Sequence, residues 1–130
     1  MEKFAKFEEK IGMKFHDKAL LREAFTHRSY INETRERNLS HNERLEFLGD
    51  AVVELSVTDF LYRKYKDATE GDLTSYRAAL VNAVTLGNLA IQMGMEDYLL
   101  LSKGEAKDKG TKAREVILAN AFEEIGRAHV

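Results

Sequence analysis

Residues 40–65, SHNERLEFLGDAVVELSVTDFLYRKY, decide the fold because they predict one long helix that carries carboxylates into an apolar segment. Glu43, Glu46, Asp50 and Glu54 fall at i, i+3, i+7 and i+11, which places them in one narrow acidic stripe. Most other positions are apolar, and a helix that is hydrophobic nearly all round is expected to be buried. Buried carboxylates are costly without a compensating partner, so the stripe predicts a bound cation. Oxygen ligands favour Mg²⁺, Mn²⁺ or Ca²⁺.

The composition fits one globular domain. The chain has 130 residues, of which 44% are hydrophobic, and this is enough for a workable core. Cysteine is absent, so disulfides and thiolate zinc sites are excluded, and a cytoplasmic setting is expected. No apolar run is long enough to span a bilayer, and no membrane partner is expected. The formal net charge of −2 means that any nucleic-acid contact must come from local basic patches.

The pattern of the chain before the long helix is helical. Proline is absent, and β-branched residues never alternate with polar ones for long enough to predict strands. A first helix is expected to end near Gly12, and Asp17 is placed to cap a second one. Residues 32–39 are polar and predict a loop. An all-α domain is therefore expected.

The pattern after the long helix is also helical, with one exception. A charged connection over residues 64–72 leads into a helical pattern that continues to Gly94. Residues 102–114 predict a mobile loop that is rich in lysine and glycine. A last helix is expected from Glu115. The loop contains four lysines, and its plain structural interpretation is a solvated surface loop: Lys103, Lys107, Lys109 and Lys112.

Two features of the acidic residues leave alternatives open. Asn120 and Glu123 share a helix face at i, i+3 and are the other candidates to meet the stripe, although such residues are more often exposed. Ser40 and Glu43 have the spacing of a capping box, so Glu43 has a purely structural interpretation as well. The four histidines show no ligand spacing, and the Glu-x-x-His pairs of a di-iron bundle are missing. What remains is a carboxylate cluster suited to Mg²⁺ and to phosphoryl chemistry.

Residues 42–52, NERLEFLGDAV, resemble the signature of the ribonuclease III family of double-stranded RNA endonucleases. Three further segments support the resemblance, which covers residues 20–123: THRSY at 26–30, EGDL at 70–73 and ILANAFE at 117–123. The resemblance implies an all-α endonuclease domain, a helical bundle with a long central signature helix. It implies Mg²⁺-dependent hydrolysis of double-stranded RNA, with Mn²⁺ as a substitute metal, to 5′-phosphate and 3′-hydroxyl ends. No small-molecule organic cofactor is expected.

The resemblance also implies a biological setting. Similar proteins act as homodimers, with one active site for each RNA strand, and process rRNA and mRNA. The alternative is a catalytically inactive relative that binds RNA or associates with ribosomes. Such a binding protein would be expected to lack Glu46, Asp50 or Glu123, and all three are present.

The resemblance assigns roles to individual residues. Asp50 and Glu123 match the catalytic carboxylates, and Glu46 matches a further metal ligand. Asn120 stands where the family commonly has aspartate; its amide oxygen can still ligate Mg²⁺ but adds no charge. The remaining assignments are substrate or metal positioning for Glu43 and Glu70, and the dimer interface for Phe47.

The resemblance also bears on residues outside this set. Glu54 extends the acidic stripe but is expected to be structural or at the surface, and His27 is expected to pack or hydrogen-bond within the fold. The four lysines of the basic loop are candidates for contacts with RNA phosphates, which would position the strand rather than read its sequence.

Residues 124–130 depart from the family pattern. They place Glu124, Arg127 and His129 where an apolar helix should continue. One codon path for these residues, gag atc gga aga gca cac gtc, resembles the start of a widely used sequencing adapter. We therefore expect a nuclease domain over residues 1–130 that is incomplete at its C-terminus, a non-native tail from about residue 124, and no double-stranded-RNA-binding domain in this sequence.

Overall fold

Helices make up most of the described chain, which comprises residues 2–33 and 42–129 of a computed structural model. Within these residues no strand forms, and one isolated parallel bridge joins Thr26 to Leu100. The all-α prediction is confirmed. The elements are α1 (Glu2–Ile11), α2 (Lys18–Ala24), α3 (Arg28–Glu33), α4 (Glu43–Lys64), α5 (Glu70–Leu80), α6 (Ala83–Gln92), a 3₁₀ turn (Met95–Tyr98), α7 (Lys103–Ala106) and α8 (Lys112–His129).

Short polar side chains begin several of these helices. Asp17 Oδ1 accepts hydrogen bonds from the backbone N–H groups of Ala19 and Leu20 at 3.0 and 3.1 Å, which confirms its predicted capping role. Thr69 and Ser102 cap α5 and α7 in the same way. These contacts satisfy backbone donors that have no partner inside the helix.

The long helix begins later than expected. Asn42 occupies the N-cap position of α4, but its side chain makes no capping bond there. Its amide instead donates to the carbonyl oxygen of Ala24 at 3.1 Å, and its backbone N–H donates to that of Thr26. Ser40, the expected capping residue, lies outside the described residues. The start of α4 is thus tied to the end of α2.

Three other boundaries differ from the expectations. Residues 32 and 33 belong to α3, while the rest of the predicted polar loop, residues 34–39, lies outside the described residues. The helical pattern that runs to Gly94 is broken between α5 and α6, because Asn82 accepts from Thr85 N at 2.9 Å and starts a new helix. The basic loop contains α7, and α8 begins at Lys112 rather than Glu115.

The core lies around α8, which packs against α2, α4 and α6. An aromatic cluster fills one end: Phe7 lies 5.0 Å from Phe25 and 5.3 Å from Tyr98 between ring centroids. Gly87 of α6 allows a close approach to α8, because a Cβ atom there would lie 2.9 Å from Glu115 Cγ and 3.1 Å from its carbonyl oxygen. The two helices therefore pack almost backbone to backbone.

The long helix is only half buried, so the expectation of a buried helix is wrong for the single chain. Leu45, Gly49, Val53 and Leu61 face the core. The opposite side exposes large apolar residues, with Phe47 84% exposed. An apolar pattern all round the helix therefore reflects one packed face and one face that has no cover within the described chain. The other large apolar side chains of α4 that are exposed are Leu48, Leu55, Phe60 and Tyr62. None of the described helices is long and apolar enough to cross a membrane.

Glu124 is a carboxyl group inside the core. It is 0% exposed, and neither carboxyl oxygen makes a hydrogen bond of ordinary geometry. Burial is the largest cause that raises its pKa to about 10; Glu46 adds to the rise, and the nearby Asn42 amide offsets part of it. The helix nevertheless continues to His129 with Ile125 and Ala128 buried. The non-native origin of residues 124–130 stays a prediction.

Replacing Glu124 with alanine is expected to stabilise the chain, and increasingly so at higher pH. The folded-state pKa of about 10 lies above the ordinary 4.5, so the penalty is absent below pH 4.5 and grows as the pH rises toward 10. The limiting slope is about 1.4 kcal/mol per pH unit. Thermal unfolding at pH 5, 7 and 9 measures this, with exposed Glu9→Ala as the control. A difference from wild type that does not vary with pH would contradict it.

Candidate active site at the crossing of two helices

Gly49 is the point at which α4 and α8 cross. A Cβ atom on Gly49 would lie 2.5 Å from the carbonyl oxygen of Glu123 and 3.0 Å from the backbone nitrogen of Glu124. No side chain fits there without moving one helix, because the opposing atoms are backbone. Since Gly49 stands between Glu46 and Asp50 on α4, the crossing places Glu123 beside both.

The pKa values of Glu46 and Glu123 are both raised at this crossing. Burial is the main cause that raises the pKa of Glu123 to about 7, and the negative charges of Asp50, Glu46 and Glu54 raise it further. Burial, followed by the charges of Glu43 and Asp50, also raises the pKa of Glu46.

In the part of the chain that the structure describes, no ion pair with a basic side chain compensates this negative charge. Among the ion pairs within residues 2–33 and 42–129, none includes Glu46, Asp50 or Glu123. The crossing therefore concentrates negative charge that a cation would neutralise.

A cleft of about 260 Å³ opens beside these carboxyls. It brings Asn120 of α8 together with Glu43 and Glu46 of α4, as expected for residues on facing helices. Its lining consists of His27, Arg28, Asn42, Glu43, Glu46, Val116, Ile117 and Asn120. Of the predicted site residues, Glu43, Glu46 and Asn120 thus share this cleft, whereas Asp50 and Glu123 are not among its lining residues.

Glu43 lies at the outer edge of the cleft. Its Oε1 atom accepts a hydrogen bond from Arg28 Nη1 at 3.1 Å, and both side chains are largely exposed. Arg28 had no role in the sequence-based assignment, which considered THRSY only as a supporting segment. Nothing in the spacing of Arg28 and Glu43 along the chain indicates that they meet.

The segment before Arg28 is held by a network of hydrogen bonds. His27 Nδ1 lies 2.8 Å from Ser29 Oγ, which confirms that this histidine hydrogen-bonds within the fold. The backbone N–H of His27 donates to the carbonyl of Leu100 at 3.0 Å, and Ser102 N donates to Ser29 Oγ at 3.0 Å. The wall of the cleft that carries Arg28 is therefore fixed to residues 100–102.

Glu54 and Glu70 lie outside the carboxyl cluster. Glu70 lines a separate cleft of about 230 Å³ together with Thr58 and Arg77. Glu54 lies 3.7 Å from the Nε atom of Arg77, in agreement with its expected structural or surface role. Within one chain, Glu70 is therefore not joined to Glu46 and Asp50.

The lysines of the predicted loop are exposed. The backbone N–H of Lys103 donates to Glu33 Oε2 at 3.0 Å, which joins α7 to α3. Arg114, from the same basic run, is instead buried and pairs with Glu96 at 3.0 Å. Contacts between these lysines and RNA stay a prediction.

The donor chemistry at the crossing suits a hard divalent cation. Glu46, Asp50 and Glu123 offer carboxylate oxygens, and Asn120 offers an amide oxygen. In residues 2–33 and 42–129, no group of three or more His, Asp and Glu side chains is already arranged to hold a metal ion. The oxygen ligands of these residues and their negative charge nevertheless suit a divalent cation such as Mg²⁺.

Comparisons with known proteins agree with this architecture. A family profile described as Ribonuclease-III-like matches residues 17–128. Ribonuclease 3 of Oceanobacillus iheyensis is 53% identical over 116 residues, which cover 89% of this chain and 50% of that protein. The chain thus spans about half the length of the curated relatives it matches.

Solved structures give the same result. A crystal structure of the nuclease domain of ribonuclease III from Campylobacter jejuni is similar with a TM-score of 0.82 and 39% identity, covering 99% of this chain and 84% of that one. A second structure of that domain, with a TM-score of 0.81 and 40% identity, covers 95% of this chain and 82% of that one, and is described as flexible in a region involved in dimer formation. The chain belongs to the ribonuclease III family.

Adding one methyl group at Gly49 is expected to destabilise the chain. Alanine normally stabilises a helix relative to glycine, by about 1 kcal/mol. Here its Cβ would meet the backbone of Glu123, and we expect Gly49→Ala to lose about 1–3 kcal/mol of unfolding free energy.

Gly71→Ala is the matched control, because Gly71 lies in α5 and its Cβ would meet nothing closer than 3.8 Å. Chemical denaturation measures both variants. Equal stabilisation by the two substitutions would show that the helices do not cross closely at Gly49.

Proposed function

We propose that this chain is the catalytic domain of an endoribonuclease that hydrolyses double-stranded RNA in a Mg²⁺-dependent reaction. The observation that carries the proposal is the meeting of Glu46, Asp50 and Glu123 at the α4–α8 crossing, with no ion pair to them among residues 2–33 and 42–129, in a member of the ribonuclease III family. Processing of rRNA and mRNA in the cytoplasm is the corresponding setting.

Glu46, Asp50, Glu123 and Asn120 would hold the Mg²⁺ ion, and Mn²⁺ would substitute for it. When bound, such an ion activates water and stabilises negative charge on a phosphoryl group. The carboxyl groups alone repel a polyanion, so they leave the site unsuited to RNA until their charge is neutralised. The cation requirement therefore follows from the charge of the site itself.

The reaction consumes one water molecule per cut. The water oxygen forms a bond to phosphorus, the bond from phosphorus to the 3′ oxygen breaks, and that oxygen takes up a proton. The products are the 5′-phosphate and 3′-hydroxyl ends. Glu123, whose pKa is about 7, exchanges a proton near neutral pH and must release it before its oxygens can serve as ligands. Activity is thus expected to rise as the pH increases through 7.

A homodimer would cover the exposed face of α4. Phe47 and Leu55 of this helix are large, apolar and mostly exposed, and a contiguous apolar surface of this kind marks an interaction site. The related Campylobacter domain is described in terms of dimer formation. A two-fold axis would bring the same face of a second chain against it, giving one site for each RNA strand.

The alternative function, RNA binding by a catalytically inactive member of the family, is less favoured. Such a protein has no need to keep Glu46 and Asp50 beside the buried Glu123, because burial and the neighbouring negative charges make this arrangement costly. Asn120 is the one position where a charged ligand is replaced by a neutral one, and its amide oxygen remains available to a metal ion.

A cleavage assay tests whether the reaction requires Glu123 of α8 but not Glu54 of the acidic stripe. Glu123→Gln keeps the shape of the side chain but removes its charge, and we expect it to lose at least about a hundredfold in the rate of cutting a long RNA duplex with Mg²⁺. Glu54→Gln is the matched control and should cut like wild type. The products are resolved by gel electrophoresis in Mg²⁺ and in EDTA.

Cutting that persists in EDTA would overturn the metal mechanism, and equal cutting by wild type and Glu123→Gln would overturn the assignment of Glu123. Failure of the folded wild type to cut in Mg²⁺ would refute catalysis by this chain.

Truncating Phe47 is expected to weaken the dimer without unfolding the chain. An aromatic anchor at the centre of an interface contributes about 2 kcal/mol or more, so Phe47→Ala should raise the dimer dissociation constant at least about 30-fold. Sedimentation velocity over a concentration series measures this, with exposed Ile91→Ala as the control. A wild-type chain that is monomeric throughout, or an unchanged constant in Phe47→Ala, would refute the interface.

A further inference from the structure

We propose that Arg28 is a positioning residue that contacts a backbone phosphate of the RNA next to the scissile one, exchanging its contact with Glu43 for that phosphate. The proposal rests on the proposed function of the cleft. It adds a group that none of the carboxyl assignments includes: the guanidinium that lines the same cleft as Glu43, Glu46 and Asn120.

The position of Arg28 suits this role because its backbone is fixed while its side chain is not. Its neighbours are held by the bonds from His27 N to Leu100 O and from Ser102 N to Ser29 Oγ, both 3.0 Å. Asn42, at the base of α4, is bonded to the carbonyls of Ala24 and Thr26. The side chain of Arg28 is nevertheless 69% exposed. Because its backbone is held in place and its guanidinium faces solvent, Arg28 can reach a ligand with a small loss of conformational entropy.

The contact with Glu43 is of a kind that is readily exchanged. Both partners are largely exposed, with Glu43 at 52%, and exposed ion pairs contribute little to folding stability. A phosphodiester presents two oxygens that match the planar fork of a guanidinium, and this arrangement is stronger and more directional than a single contact to a mobile carboxylate. Until RNA arrives, Glu43 keeps the guanidinium at the edge of the cleft.

The charge pattern of the cleft explains why a cation is needed at this place. Glu43, Glu46 and the adjoining Asp50 repel the phosphates that flank a scissile bond. A metal ion neutralises only the oxygens that it binds. A guanidinium at the rim holds the neighbouring phosphate and fixes the register of the strand without contacting the reacting atoms.

The test compares Arg28→Ala and Arg28→Lys with Arg63→Ala. Arg63 is a matched control, because it is 76% exposed and pairs with Asp59 at 2.9 Å, as Arg28 pairs with Glu43, but it lies at the far end of α4. Each substitution is made in wild type for steady-state cleavage of an RNA duplex. Each is also made with Glu123→Gln, so that binding of the uncut duplex is measured as a function of salt. Thermal unfolding checks that each variant is folded.

We expect Arg28→Ala to raise KM, and the dissociation constant of the duplex, on the order of tenfold, with kcat little changed. The slope of log K against log salt should fall by about one, as for the loss of one phosphate contact. Arg28→Lys should keep that slope and recover part of the affinity, since it retains the charge but not the fork. Arg63→Ala should match wild type in all three measurements.

Three outcomes overturn the proposal. Equal KM values and salt slopes in Arg28→Ala and Arg63→Ala would show that Arg28 makes no phosphate contact. A fall in kcat alone with an unchanged salt slope would assign it a purely structural role. A duplex that neither the wild type nor the Glu123→Gln protein binds would refute both this contact and the RNA substrate. If the wild type binds but does not cut, the catalytic proposal fails, while the salt slope still decides the role of Arg28.

Discussion

The close crossing of α4 and α8 at Gly49 is the constraint on which the rest of the structure depends. A glycine here brings the backbone of one helix to within contact distance of the other, and no larger residue can do so. The crossing has a structural and a chemical consequence at the same place. It packs α4 closely against α8 at the centre of the core, and it places Glu123 beside Glu46 and Asp50. Gly87 has the matching function near the start of α8, where α6 approaches Glu115.

This arrangement costs folding stability, and the cost is seen in the raised pKa values of two carboxyl groups of α8. Glu123 and Glu124 are adjacent in sequence and both are buried, but their surroundings differ. Glu123 borders the carboxyl cluster, where a divalent cation can compensate it, and its pKa of about 7 reflects first its burial and then the charges around it. Glu124 lies in the core with no hydrogen bond of ordinary geometry to either oxygen, and the nearby Asn42 amide offsets only part of the rise in its pKa. The burial of Glu123 is a stability cost that serves a proposed function, whereas no such function is proposed for the burial of Glu124.

Much of the fold and part of the site could be predicted from the sequence. The spacing of Glu43, Glu46 and Asp50 predicted the acidic stripe from the helical period alone. The i, i+3 pair of Asn120 and Glu123 made α8 a candidate partner, and the resemblance to the ribonuclease III family was needed to assign it. The pairing of Arg28 with Glu43 and the approach of α8 to Gly49 are contacts between distant segments, and no local pattern contains them. The isolated glycine in a helical segment was the one available signal for the crossing.

The half-exposed state of α4 shows a different limit. An apolar pattern all round a helix indicates how much surface must be covered, but it does not indicate whether the same chain covers it. The break at Asn82 has a more local origin, because its side chain competes with the backbone for Thr85 N.

Binding of Mn²⁺ to the RNA-free chain, followed by electron paramagnetic resonance across pH 6 to 9, tests most directly whether the crossing forms a cation site. We expect binding that strengthens as the pH rises through about 7, because Glu123 must lose its proton, and that is lost in Glu123→Gln but kept in Glu54→Gln. Binding that is insensitive to pH and equal in all three proteins would show that the ion is held elsewhere, and that the carboxyls at the α4–α8 crossing do not form the metal site.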